Sequence, residues 1–291
     1  MSDRETVALL GAGSTMGFPM ARNIARAGIP VRAWNRTAEK ARPLTEDGVE
    51  VLDDPREAAT GAIMIVTMLR DADAVIGAMD GEYGAFSAPQ APAMWVQMST
   101  VGERGTERCA QLADERGISF VDAPVLGTKQ PAQEGKLVVL ASGPEELRER
   151  LTPIFDAVGQ RTMWLGEAGA GTRLKLAVNL WVLQVTEGVA EAVAFTEGLG
   201  LDAGLLFEAL TGGPLDMPYF QFKGKAIRER NFEPMFSLAL AAKDAALMAE
   251  AATNRGLDLP LLETIRDRLA QGAREHGEKD MSATYLTSAP G

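Results

Sequence analysis

The feature that most constrains this chain lies near its start. Gly11-Ala12-Gly13-Ser14-Thr15-Met16-Gly17 is preceded by an apolar run that ends at Leu10 and followed by a helical pattern over Met16–Ala27. A glycine-rich turn that closes a strand and opens a helix leaves backbone N–H groups unpaired where the helix dipole favours negative charge. That context suits the pyrophosphate of a dinucleotide: Gly11 permits the tight turn and Gly13 lets the backbone approach the phosphates. The spacing is GxGxxxG, with the third glycine one residue late. The competing reading is a glycine-rich turn without a ligand, and the flanking strand and helix weigh against it.

The rest of the first half keeps the same rhythm. β-rich runs at Thr6–Leu10, Val31–Trp34, Ile63–Met68, Met94–Met98, Phe120–Asp122, Lys136–Ala141 and Thr162–Leu165 alternate with helical patterns such as Glu103–Arg116. This alternation predicts a mostly parallel, doubly wound sheet, and runs such as VALL, IMIVTM and LVVLA suit strands buried on both faces. After about Gly166 the texture changes. Thr172–Glu197 is alanine-rich, proline-free and apolar almost all round, which predicts a long buried helix joining two halves. Ala203–Leu210, Tyr219–Arg228, Ser237–Arg255 and Leu261–Glu275 then read as helices. The expected fold is an α/β Rossmann domain over 1–166 and an all-α domain over 167–291, joined by that helix.

Composition narrows the partners. The 291 residues are 46% hydrophobic and 24% charged, with room for two cores. A net charge of −11 argues against nucleic acid, which needs a basic face. No apolar run approaches the ~18 to 20 residues of a membrane span, and MSDRETVALLG runs straight into a strand pattern with no signal peptide expected, so a cytoplasmic protein is expected. Cys109 and His276 are the single cysteine and single histidine, which excludes an internal disulfide and argues against a Cys- or His-rich metal site. His276, in a polar stretch, reads as a surface helix residue.

The end of the second strand bears on the nucleotide. An NAD site places a carboxylate there for the ribose 2′-OH, whereas this chain has Asn35-Arg36-Thr37. Arg36 can pair with the 2′-phosphate of NADP(H), and Asn35 and Thr37 can add hydrogen bonds. The alternative is an ordinary surface arginine and either nucleotide. Glu39, the nearest acid, falls inside the next helical segment.

Lys175 and Asn179 are four positions apart in the apolar helical stretch, so they share a face. A lysine there is costly without a task or partner. Beside a nicotinamide it could protonate a carbonyl oxygen as hydride reaches the carbon. A snorkelling lysine at the helix start explains the spacing equally well.

With these residues in view the chain resembles the β-hydroxyacid dehydrogenases along its whole length, nearest the glyoxylate/succinic semialdehyde reductase branch. The resemblance is carried by GAGSTMGFPMARNIARAG, Asn35-Arg36-Thr37, Thr67-Met68-Leu69, Met98-Ser99-Thr100-Val101, Asp122-Ala123-Pro124-Val125, GTKQPAQEGKLVVLASG, Gly171 to Asn179, and Phe236 with Lys243-Asp244. It implies Lys175 as general acid or base and Asn179 as a substrate hydrogen-bonder. It implies Gly11 to Met16, Met68, Leu69, Thr100 and Lys243 around the cofactor, and Ser99, Leu126, Gly127, Thr128 and Phe236 around the substrate, with no metal. The substrate is expected between the nicotinamide and the long helix, under a lid from the helical domain. The Gly212–Pro218 loop reads equally as a substrate-facing loop or an ordinary turn.

The chain departs from the family at one informative place. DAPV is commonly followed by Ser-Gly-Gly or Ser-Gly-Ser, and here by Leu126-Gly127-Thr128, which removes a hydroxyl that helps hold a substrate carboxylate. Imine reductases share the architecture and generally lack the lysine that this chain has. The expected activity is NADP(H)-dependent hydride transfer on a small carbonyl or hydroxy compound. An imine or bulky-carbonyl reductase, and a non-catalytic NADP-binding protein, are the alternatives. The apolar long helix and the tail Asp280-Met281-Ser282-Ala283 suggest a homodimer.

Overall fold

The computed structural model describes residues 5–90 and 92–288. Residues 1–4, the start of the MSDRETVALLG stretch on which the cytoplasmic expectation partly rests, lie outside them. Contacts divide the chain into two compact units, with the division between Lys175 and Leu176.

The first unit begins with β1 (Val7–Leu10), α1 (Gly17–Arg26), β2 (Val31–Trp34), β3 (Glu50–Leu52), α2 (Pro55–Ala59) and β4 (Met64–Thr67). It continues through α3 (Ala72–Asp80), β5 (Met94–Gln97), α4 (Gly102–Glu115) and β6 (Ser119–Asp122). These strands form one six-stranded parallel sheet in the order β3-β2-β1-β4-β5-β6. The reversal of order beside β1 is the doubly wound Rossmann arrangement, with its crevice at the carboxyl ends of the strands.

Strand residues alternate between two cores. Val7 and Leu9 pack with Met20, Ile24 and Phe155, while Ala8 and Leu10 join Ala58, Val75, Met79 and Cys109. Covered on both faces, the central strands could only read as unbroken apolar runs. β3, a three-residue edge strand that is half-exposed, gave no such signal.

The unit ends with β7 (Val125–Leu126), α5 (Lys129–Gln133), β8 (Leu137–Ala141), α6 (Arg148–Val158) and β9 (Gly159–Trp164). β7 pairs antiparallel and β9 parallel with β8. An isolated antiparallel bridge, Asp122 to Ser142, ties the end of β6 to the end of β8.

α7 (Ala170–Gly198) runs unbroken through the division. The second unit adds α8 (Ala203–Leu210), α9 (Pro218–Arg228), α10 (Leu238–Asn254), α11 (Pro260–His276) and a final 3-10 helix over Met281–Thr287. Leu176 and Leu183 of α7 pack with α10 and α11, and Val189, Ala190 and Val193 with α8 and α9.

Two expectations about α7 need correction. It is not buried all round: Trp181 is 60% and Phe195 69% exposed. By length and composition it could also cross a bilayer. Arg173, Lys175, Glu187 and Glu191 break its apolar sequence into shorter runs, none of which looks like a span by itself. Its leucines, valines and alanines nevertheless build the cores just described, as those of a central helix in a globular unit do.

Candidate active site

The glycine turn is held from both sides. Gly11 has φ +97°, and a Cβ there would lie 2.2 Å from the Met68 carbonyl oxygen. Only glycine meets both conditions. A Cβ on Gly17 would lie 2.2 Å from the Gly11 oxygen, so the late third glycine seats α1 directly on the turn. Gly11 and Ala12 N–H both donate to the Trp34 oxygen, Ser14 N–H to Gly11, and Gly17 N–H to Ser14 Oγ. Among the described residues, the N–H groups of Gly13, Thr15 and Met16 have no acceptor within the chain. Three free donors at a helix N-terminus fit a pyrophosphate.

Beyond β2, Arg36 and Thr37 are exposed and Asn35 half-exposed, with Asn35 Nδ2 donating to the Thr37 oxygen at 2.8 Å. Glu39 lies in a 3-10 turn over Ala38–Lys40. That turn brings in a residue the sequence reading passed over. A Cβ on Gly13 would lie 2.6 Å from Asn35 Nδ2 and 2.7 Å from Lys40 Cβ, so Lys40 stands against the glycine turn. In the sequence it is one lysine in a polar stretch, with nothing local to single it out. With Arg36 four positions earlier, it makes the segment after β2 doubly cationic.

Met68 is buried and Leu69 half-buried past the end of β4, each packed on a sheet core. Ser99 is also buried, and its hydroxyl accepts from Leu69 N–H at 2.8 Å and donates to the Thr67 oxygen at 3.3 Å. Expected among the substrate residues, it braces the β4 and β5 ends, with the half-buried Thr100 following it. Leu126 in β7 and Thr128 are half-buried, and Gly127 between them has φ +125°.

Lys175 is 9% exposed, on the second turn of α7. The first turn is anchored to the sheet. Asp122, wholly buried, accepts Thr172 N–H at 2.7 Å and Thr172 Oγ1–H at 2.8 Å, and Ser142 Oγ accepts Gly171 N–H at 2.9 Å. Burial pushes the Asp122 carboxyl up to about 6, against the opposing pull of hydrogen bonds from Thr172, Ser142 and Gly169.

In the second unit Asn179, also buried, donates from Nδ2 to Asp244 Oδ2 at 2.8 Å, and Lys243 Nζ lies 2.8 Å from Asp244 Oδ1. Asp244 therefore fixes the Asn179 amide, leaving its carbonyl oxygen and second N–H to other partners. Phe236 belongs to a different anchor: Asp280 Oδ2 accepts the Met235 and Phe236 N–H groups, and its Oδ1 meets Lys223 Nζ at 2.6 Å. The Asp280–Ala283 tail, expected at a subunit contact, is buried within its own chain by these bonds. In the 212–218 loop Asp216 accepts Gly212 N–H and Gln221 Nε2–H, closing the loop on itself as a turn does.

Comparison with known proteins gives this arrangement a lineage. The model of the NAD-binding domain of 6-phosphogluconate dehydrogenase matches residues 6–166. That of the NAD-binding region of NADP-dependent 3-hydroxyisobutyrate dehydrogenase matches residues 169–287. The chain belongs to the β-hydroxyacid dehydrogenase family. That makes it an NAD(P)-dependent oxidoreductase. It is 30% identical to the chloroplastic glyoxylate/succinic semialdehyde reductase 2 of Arabidopsis thaliana, over 96% of this chain and 78% of that protein. It is also 30% identical to the 3-sulfolactaldehyde reductase of Escherichia coli, over 95% and 93% of the two. A Mycobacterium tuberculosis 3-hydroxyisobutyrate dehydrogenase solved with L-serine superposes with a TM-score of 0.86, at 29% identity over 97% and 98% of the chains.

Proposed function

We propose that this β-hydroxyacid dehydrogenase is an NADPH-dependent reductase, or in reverse an NADP-dependent dehydrogenase, of a small carbonyl or hydroxy compound. The observation that carries the reading is a buried lysine on an anchored helix turn. Lys175 has almost no contact with water and sits on the same face as the buried Asn179. NADPH, when bound, supplies the hydride. The Lys175 ammonium gives its proton to the carbonyl oxygen, leaving a neutral amine that solvent reprotonates. Asn179, fixed by Asp244, offers the substrate a hydrogen bond. No metal is needed for that step, because a hydride donor and an acid suffice.

Arg36 and Lys40 after β2, where an NAD site of this fold ends the strand on a carboxylate, favour NADPH over NADH. Two of the relatives named above are reductases of glyoxylate and succinic semialdehyde or of 3-sulfolactaldehyde, small aldehydes with an anionic group. Leu126 favours a second reading, an imine or bulky-carbonyl reductase, since it presents an apolar side chain where the family commonly has serine. Initial rates on succinic semialdehyde, glyoxylate and a cyclic imine, each with NADPH and NADH, decide between them. Turnover of an aldehyde with NADPH is expected. Oxidation of neither nucleotide on any of the three would sink the reductase reading. In the same assay Arg36→Ala should raise the KM for NADPH by roughly 10–100-fold and leave NADH unchanged, the worth of a charge-assisted pair with phosphate.

We also infer a homodimer. Trp181 and Phe195 stand exposed on one side of α7 with Ala177 and Gly188, a face broken only by Gln184 and Glu191, and large exposed aromatics on one helix face suit a subunit contact. Sedimentation at micromolar concentration should give twice the chain mass, and a monomer would refute it.

A further inference from the structure

We propose that Asp122 is a positioning residue for the reaction: as a carboxylate it locks the first turn of α7 and so sets where Lys175 presents its ammonium. The inference rests on the reading of Lys175 as the proton donor, but its geometry stands apart from it.

The first N–H groups of a helix normally find a local cap or water. In α7 they reach back to the sheet instead. Gly171 N–H goes to Ser142 Oγ at the end of β8, and Thr172 N–H goes to Asp122 at the end of β6. Thr172 Oγ1–H donates to the other carboxylate oxygen. That leaves Thr172 Oγ1 to accept from Thr106 Oγ1 of α4, 2.9 Å away. Ser142 Oγ adds a further donor at 3.3 Å, and Gly169 N–H another. The approach is so close that a Cβ on Gly171 would lie 2.1 Å from the Leu140 oxygen. Lys175 follows Thr172 by three residues, one turn along the same face. A rotation of that first turn is passed directly to the lysine.

Every group around the carboxylate is donating, so a proton on Asp122 must displace one of them. Few other charges face it. Gln97 is its register partner on β5, and Cys109 on α4 stays a thiol because burial pushes it up to about 12. The charged neighbours of Thr106 on α4, Glu103, Arg104, Glu107 and Arg108, are exposed or half-exposed, as is Arg173 on α7. Glu167, in the loop before α7, is exposed too, which leaves Lys175 as the buried cation of that helix. With its carboxyl raised to about 6, Asp122 gains its proton just below neutrality.

A purely structural Asp122 would behave in the opposite way. Its raised value means the folded chain binds the proton more tightly than the unfolded one. Its contribution to stability therefore falls as pH rises from the ordinary carboxylate range to about 6. Protonation favours the fold but unlocks the turn, so stability and turnover separate.

The test uses the full chain with NADPH and the fastest aldehyde of the panel, together with hydrogen exchange of the protein alone. Wild-type kcat should fall below pH about 6. Asp122→Asn, which turns an amide donor onto donors, should lower kcat by about tenfold or more at every pH, erase that limb and leave the KM for NADPH unchanged. It should also speed exchange across residues 169–176. Thr172→Val keeps the carboxylate and removes one donor, so it should move the limb to higher pH. That variant carries the test if the asparagine variant does not fold. A wild-type kcat and limb in Asp122→Asn, an unmoved limb in Thr172→Val, or unchanged exchange in 169–176 overturns the proposal. Failure of the lysine reading shows separately, as turnover retained in Lys175→Ala, with exchange still reporting on the lock.

Discussion

Lys175→Ala is expected to lose turnover by roughly 10²–10⁴-fold while binding NADPH as the parent does. The loss corresponds to about 3–5 kcal/mol of transition-state stabilisation. Its size follows from place as well as charge. A lysine at 9% exposure leaves little room for water to take over as the acid, and the amine is delivered by an anchored turn rather than a loop. Because alanine is a good helix former, α7 should persist, and NADPH titration followed by fluorescence would verify an intact cofactor site. The loss should fall on kcat, the mark of an interaction made in the transition state. Turnover within a few-fold of the parent would remove Lys175 from the mechanism.

Lys223→Ala should destabilise the second unit by about 3–5 kcal/mol, the usual cost of stranding one member of a buried ion pair. Lys223 and Asp280 are each about 4% exposed and 2.6 Å apart. The lower end of that range is the better expectation, because Asp280 keeps the N–H groups of Ser282, Met235 and Phe236 and the Ser282 hydroxyl. Thermal unfolding should shift down by roughly 10 °C or more. A Lys223→Met, Asp280→Asn double variant should recover part of the loss, since it removes both charges together. A single variant that melts with the parent would show the pair to be dispensable. For Asp280, burial pushes the carboxyl up, but the Lys223 ammonium and the hydrogen bonds outweigh it and hold the group below the ordinary carboxylate range. A lowered carboxyl stabilises the fold at neutral pH, and that contribution fades as pH falls through its folded value. The two groups act in separate windows: Asp122 strengthens its contribution as pH falls from about 6 into the ordinary carboxylate range, and the Asp280 anchor weakens only below that range.

Much of the fold was legible because its signals are local. β1, β4 and β5 are covered on both faces, and an unbroken apolar run is the only sequence that satisfies such a strand. Lys175 and Asn179 were legible as polar residues in an apolar helix. What escaped depends on distance along the chain. Asp122 meets Ser142 and Thr172, 20 and 50 residues away, so nothing beside it in sequence reveals that it is buried. Lys40 differs from any surface lysine only by its place against Gly13. The bracing role of Ser99 escaped for the same reason: its partners at Leu69 and Thr67 lie about thirty residues away. The exposed stripe on α7 was hidden by its surroundings, since an apolar residue facing outward cannot be told from one facing the core when both sides are apolar.

The unbroken course of α7 through residue 175 has a consequence for how the protein can be taken apart. It has no seam. A chain ended at 166, where the first family match stops, would keep the Asp122 carboxylate and lose Gly169 and Thr172, leaving a buried acid with donors missing. A chain begun at 169 would carry Lys175 on a helix start torn from its moorings. Halves exchanged with a relative would have to match through the middle of a helix, side chain against foreign sheet. The start of α7 and the strand ends that hold it are thus bound to change together.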